Sequence, residues 1–222
     1  MAELRNGYLG DYYGSTFSES EPLSQEEMNV NADYILRFLE LNGWTGNAVC
    51  AILGNMQAES TINPGRWQSD IVGGTSNGYG LVQWTPSTKY TDWCTENGYS
   101  DPSDMDNNLF RIRYEAMNNL QWIPTDEYPL SFEEFTKSTA SIDYLAKAFL
   151  LCYERPKDQS ESVQNYRSEL ANAWYTYLSE LYNGSLPDNP SGSTPSTPSI
   201  KKKNKYNFIL MRSRKRRETW IR

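Results

Sequence analysis

Glu59 occupies a position where the apolar stripe of a helix should continue. In Asn47-Ala-Val-Cys-Ala-Ile-Leu-Gly-Asn-Met-Gln-Ala-Glu59-Ser60-Thr61, Val49, Ile52, Leu53 and Met56 recur at the spacing of one helix face. Glu59 falls three residues beyond Met56 on that face. A carboxyl group there points toward the core or into a cleft cut into it. Desolvation in such a place raises its pKa and fits it to act as a general acid near neutral pH. A second reading stands beside this one: the helix frays before residue 59, and Glu59 is an ordinary solvated end residue. The downstream segment adds groups a reaction would use. A Gly-rich turn leads to Gly78-Tyr-Gly-Leu-Val-Gln-Trp-Thr-Pro86, where glycine lets backbone approach backbone or substrate closely. Gln83 offers both a donor and an acceptor, suited to a sugar amide or an attacking water. In a plain structural hairpin the same side chain would cap a backbone group.

The 222 residues include no histidine. Serine triads, cysteine nucleophiles and catalytic zinc sites nearly all depend on one. Cys50, Cys94 and Cys152 are therefore poor nucleophiles, lack the close paired spacing of metal or redox motifs, and read as reduced, buried thiols. Carboxylates remain as the acid–base chemistry, and neither a metal nor a cofactor is expected. Sixteen Tyr and seven Trp supply aromatic faces that suit sugar rings where they flank a cleft, although any one of them serves equally well as packing.

Capping and periodicity place these groups on elements. Residues 1–23 are polar with scattered aromatics and read as an N-terminal arm. Ser24-Gln-Glu-Glu27 is a capping box, opening a helix with Met28, Ala32, Ile35, Leu36 and Leu39 on one face that stops at Asn42-Gly43. Thr45 caps the helix that runs toward Glu59, and Asn63-Pro64-Gly65 forbids its continuation. Glycines at 73, 74, 78 and 80 interrupt helical patterning, and Tyr79–Trp84 alternates as a short strand would. Helical patterning returns over 87–96, 104–120, a short stretch opened by Ser131, 141–153 and 160–182, ending at Asn183-Gly184. The expected fold is α+β and mostly helical, with a small β-hairpin region beside the helix that carries Glu59. Its domain spans 24–183. A Gly/Ser/Pro/Thr linker follows over 184–200, then a basic tail over 201–222.

Three ordered blocks now become specific: Gly54-Asn-Met-Gln-Ala-Glu-Ser-Thr-Ile-Asn-Pro-Gly65, Gly80-Leu-Val-Gln-Trp-Thr-Pro86 and Tyr153-Glu-Arg-Pro156. Together they resemble the phage tail lysozyme family of the lysozyme-like superfamily, over residues 27–183. The resemblance implies a lysozyme-like fold and cleavage of the β-1,4 MurNAc–GlcNAc bond of peptidoglycan by a virion tail protein during DNA entry. It implies that Glu59 is the general acid, that Gln83 and Thr85 position substrate or water, and that Ser60 orients Glu59 or satisfies the helix end. Trp67, Tyr79 and Trp84 are candidates to flank the sugars. A partner carboxylate of the two-carboxylate mechanism would be Asp70, the nearest acid of the hairpin region, or Glu154. The Glu-Arg-Pro setting of Glu154 fits a buried ion pair equally well. A lytic transglycosylase using the same Glu59 is the neighbouring alternative. A silent glycan-binding or tail-assembly protein is the alternative of another class, because fold alone does not establish activity.

The charge is divided. Residues 1–200 hold 11 Lys and Arg against 27 Asp and Glu, a formal −16, whereas residues 201–222 hold ten basic residues and one acid, a formal +9. The basic tail suits an acidic partner, and no stable nucleic-acid complex is expected of the acidic domain. The chain does not open on a basic start followed by an apolar run, so the ordinary secretory route is not expected. An enzyme at −16 would be repelled by an anionic wall at low salt, which fits delivery by a tail already touching it, with tail proteins as partners. Residues 1–183 alone are predicted to bind purified walls weakly at low salt in a pelleting assay, and tight binding would remove this argument.

Overall fold

The computed structural model describes residues 2–184 and 186. The basic tail 201–222 and, apart from Gly184 and Leu186, the linker 184–200 lie outside the described residues.

Helix α1 (Gln25–Glu40) begins at the predicted capping box, in which Ser24 and Glu27 satisfy each other's backbone amides. Helix α2 (Gly46–Ser60) is capped by Thr45, whose hydroxyl accepts from the Ala48 amide. It ends because Thr61 and Ile62 take left-handed backbone, φ 54° and 55°, ahead of the proline at 64. The sequence suggests a single apolar stripe on α2, but Cys50, Ala51, Gly54 and Asn55 are buried as well. A helix buried nearly all round is a core helix, and α2 is the axis on which the domain is built. Helices α3 (Thr88–Glu96), α4 (Met105–Met117) and α5 (Phe132–Thr136) follow, then α6 (Ile142–Phe149), which runs into a wide π-type turn over Leu150–Glu154. Helix α7 (Glu161–Leu181) closes the domain, packing with α6 along α2.

Residues read as an N-terminal arm instead form an antiparallel hairpin, β1 (Glu3–Gly7) and β2 (Gly10–Gly14). It is tied down by buried amide groups that a polar composition does not reveal. Asn31 on α1 accepts from the Tyr13 amide at 2.7 Å and donates to the Tyr13 and Ile62 carbonyls at 2.7 and 2.8 Å. Asn63 accepts from the Ser15 and Gly65 amides at 3.0 and 2.9 Å. A Cβ on Gly65 would sit 2.0 Å from the Ser15 carbonyl oxygen, so only glycine lets the two segments touch. The strand expected over Tyr79–Trp84 is a tighter device. Gly80 and Gln83 take positive φ, 83° and 48°, and Tyr79 and Trp84 exchange backbone hydrogen bonds of 3.2 and 3.0 Å across the turn. Trp67 adds a further bridge to Tyr79.

Cys50, Cys94 and Cys152 are free and buried. Burial pushes the Cys50 thiol up to about 12 and the Cys94 thiol up to about 11, which leaves them unreactive near neutrality. Among the described residues no helix is long and apolar enough to cross a membrane.

Helix α7 reaches α2 at Gly54, where a Cβ would lie 2.6 Å from the Ala171 nitrogen and 2.7 Å from the Arg167 carbonyl oxygen. Both obstacles are backbone, so a side chain there forces the helices apart. Gly54→Ala is predicted to lower stability by roughly 1–3 kcal/mol, as overpacking does, measured by urea unfolding. Unchanged stability would mean that α7 moves freely on α2.

Candidate active site

The last turn of α2 delivers Glu59 to the wall of a cleft of about 410 Å³. Glu59, Arg66, Trp67, Gln83, Thr85 and Glu154 all line it. Three stretches of chain converge there: the end of α2 with the loop after it, the 78–86 turn, and the Tyr153-Glu-Arg-Pro156 segment after α6. The helix does not fray before residue 59, since regular structure continues to Ser60.

Glu59 is partly exposed, its side chain 21% accessible, and it pairs with Arg167 of α7 at 2.6 Å. Arg167 is itself 9% accessible, and its second terminal nitrogen donates to the Asn55 carbonyl at 2.8 Å. Glu59 lies at the C-terminal end of its helix, where the backbone dipole disfavours an anion. The guanidinium supplies the compensating charge. Glu154 differs. Its Oε1 is buried without a hydrogen-bond partner. Burial, and then repulsion from the Glu59 carboxylate, push its carboxyl well above the usual carboxylate range, with Arg167 acting in the opposite direction. Two carboxyl groups of unlike character thus share one cleft: Glu59 in an ion pair and Glu154 favouring its neutral form.

The remaining candidates separate into those inside the cleft and those outside it. Asp70 is not among the cleft-lining residues. It is exposed, paired with Arg66 at 3.1 Å and accepting from the Ser20 hydroxyl at 2.7 Å. Ser60 does not reach Glu59. Its hydroxyl donates to the Met56 carbonyl at 3.0 Å or the Leu81 carbonyl at 2.9 Å, tying the helix end to the 78–86 turn. Gln83 spends its amide nitrogen on the Arg66 and Gly80 carbonyls, at 3.0 and 2.9 Å, so its carbonyl oxygen is what it can offer a ligand. Thr85 is exposed on the lining, its hydroxyl donating to the Gln83 carbonyl at 2.9 Å. Of the three aromatics expected to flank sugars, only Trp67 lines the cleft, and it too is buried, 2% accessible. Tyr79 and Trp84 are core residues, buried in a ring cluster with Tyr90 whose centroids lie 6.2 and 4.4 Å away. The turn that brings them close folds their rings inward.

Two buried charged residues escaped the sequence reading. One is Arg167, which stands 108 residues from Glu59 on a helix whose polar face shows nothing unusual in sequence. The other is Glu115 on α4, buried and accepting from Trp84 Nε1 at 3.2 Å, from Arg111 Nε at 2.9 Å and from the Tyr153 hydroxyl. Desolvation raises its pKa despite these donors. Glu115 thereby links the 78–86 turn to the residue preceding Glu154. Its signal was available: it falls three residues after Ile112 on the buried face of α4, the same pattern that singled out Glu59.

Comparison with known proteins agrees with this geometry. Residues 30–178 match the phage tail lysozyme family. The chain belongs to that family. It is also 50% identical over 162 residues to "Morphogenesis protein 1" of Bacillus phage B103, a match covering 73% of this chain and 43% of that protein. The chain therefore spans less than half the length of this curated relative. As a phage tail lysozyme family member it has the lysozyme-like, mostly helical α+β fold, with Glu59 and all three motif blocks inside the matched region. The family match places it among phage lysozyme-like proteins.

The character of Glu154 makes a prediction about stability. Its folded pKa lies above the ordinary value of 4.5, so its contribution to stability is fully present below about pH 4.3 and is lost as pH rises toward the folded value. Glu154→Gln removes this dependence. Relative to the wild type, the variant should gain stability as pH rises above about 4, measured as the difference in Tm. Parallel pH curves for the two proteins would show that Glu154 is solvated and ordinary.

Proposed function

We propose that this protein is a peptidoglycan muramidase that cleaves β-1,4 MurNAc–GlcNAc bonds and acts from a phage tail to open the wall locally for DNA entry. The single observation that carries the reading is the presentation of Glu59, by the end of the core helix of a phage tail lysozyme domain, into a cleft that also holds Glu154. In the first step the Glu59 carboxyl protonates the leaving glycosidic oxygen, and the bond to the anomeric carbon breaks as positive charge develops on the sugar. In the second step the Glu59 carboxylate accepts a proton from an incoming water whose oxygen bonds that carbon. Gln83 offers its carbonyl oxygen to the water or to a sugar amide, and the exposed Thr85 adds to the contact surface. Arg66, Arg155 and Lys157 also line the cleft. These cations suit a glycan that carries lactyl and peptide carboxylates, although the domain around them is acidic.

The test is clearing of purified peptidoglycan by wild type and Glu59→Gln, with mass spectrometry of the released fragments. Loss of a positioned acid should reduce the rate by about 10²–10⁴-fold. Wild-type fragments should carry one added water per cut, ending in a reducing sugar. Anhydro ends, lighter by that water, would instead make the enzyme a transglycosylase. Equal clearing by the two proteins would remove Glu59 from the mechanism, and no clearing by wild type would favour a silent glycan-binding protein.

A further inference from the structure

Two atoms beside Glu59 are conspicuous for lacking partners. Glu154 Oε1 and Arg167 Nε are both buried without a hydrogen bond, although each belongs to a group able to carry charge. A buried acceptor left unpaired costs far less on a neutral carboxyl than on a carboxylate. The groups whose charge bears on the two carboxyls come from every side of the cleft: Arg167 from α7, Arg155 and Lys157 from the segment after α6, Glu115 from α4, and Arg66 from the loop after α2. Of these cations, Arg167 alone is ion-paired to Glu59. Arg66 is paired to Asp70, and Arg155 donates to the carbonyls of Gln121 and Cys152. Arg167 is also held in place, because one terminal nitrogen grips the Asn55 carbonyl while the other grips Glu59. That two-pronged hold needs the planar fork of a guanidinium. It also needs the close approach of α7 to α2 that Gly54 permits.

We propose that Arg167 is the positioning residue of this site: it fixes the Glu59 carboxyl group in the cleft, and its charge acts on the buried Glu154 carboxyl that lines the same cleft. The catalytic half of this inference rests on the reading of Glu59 as the acid. The effect of its charge on Glu154 does not.

The experiment uses Arg167→Gln and Arg167→Lys in the full chain with two readouts. The first is the carboxyl ¹³C titration of Glu154, assigned by its disappearance in Glu154→Gln, and it requires no activity. Wild-type Glu154 should titrate above the ordinary carboxylate range. Arg167→Gln should move it further upward, and Arg167→Lys, which keeps the charge, should leave it near the wild-type position. The second readout is the pH profile of kcat and KM on soluble glycan fragments. Arg167→Gln should lower kcat by about 100-fold, the cost of a misplaced group, and shift the alkaline limb upward, because carboxyls relieved of a nearby cation hold their protons to higher pH. Arg167→Lys should restore the limb while kcat stays low and KM is little changed. A residue that merely supports the fold would lower Tm and move neither titration nor limb, and that result overturns the proposal. If Arg167→Gln does not fold, Arg167→Lys decides: wild-type kcat, or a displaced Glu154 titration, overturns it. Full activity in Glu59→Gln alongside the expected titrations would remove Glu59 as the acid, and with it the catalytic half, and leave the effect of Arg167 on Glu154 standing.

Discussion

Helix α7 lies against the backbone of α2 because residue 54 carries no side chain, and from that contact the working arrangement of the domain follows. An ordinary residue at 54 would drive its Cβ into the Arg167 carbonyl and the Ala171 nitrogen. With glycine there, Arg167 reaches both the Asn55 carbonyl and the Glu59 carboxylate from a helix that begins about one hundred residues later. Interiors are packed too densely for such a misfit to be absorbed locally. The same close contact that buries α2 therefore also supplies the cation facing its terminal acid. Packing and electrostatics are not separable in this region.

The other walls of the cleft are held by buried polar groups. Asn31, Asn63 and Asn108 each satisfy several backbone groups, Asn31 those of the β2 edge and the loop after α2, the other two those of irregular segments. Asn108 alone accepts from the Leu81 amide at 3.0 Å and donates toward the Pro64 carbonyl at 3.3 Å and the Tyr90 hydroxyl at 3.0 Å. Such networks stabilise only when fully satisfied, and they specify a single arrangement. Glu115 does similar work between Trp84 and Tyr153, the residues that immediately precede the cleft groups Thr85 and Glu154 in sequence. The cleft thus sits on irregular backbone, pinned by side-chain amides and one buried carboxyl, against a rigid helical core. That construction combines close approach to a ligand with a fixed geometry.

The charge distribution places the chemistry in contrast with its surroundings. The first 200 residues carry a formal −16, while Arg66, Arg155 and Lys157 line the cleft. Long-range attraction to an anionic polymer is thereby weak, whereas at short range the cleft presents cationic side chains.

The amino-acid sequence by itself determined the helices, their caps and the position of Glu59, because these depend on spacings of a few residues. Ser24 and Ser131 cap their helices as their local pattern requires, and Glu59 interrupts an apolar stripe within a single helix. The three motif blocks identified the family for the same reason, being short and ordered along the chain. Only the tertiary structure decided which side chains meet. It turned the polar N-terminal residues into a hairpin, since their partners Asn31 and Asn63 lie elsewhere in the chain. It folded Tyr79 and Trp84 into the core because positive φ at Gly80 and Gln83 closes a tight turn that alternation alone reads as a strand. It left Asp70 on the surface with Arg66, brought Glu154 beside Glu59, and set Arg167 between helix end and cleft. Local sequence encodes what each residue can do, whereas long-range packing fixes the distance and dielectric through which two charges act, and those raise the pKa of the buried Glu154.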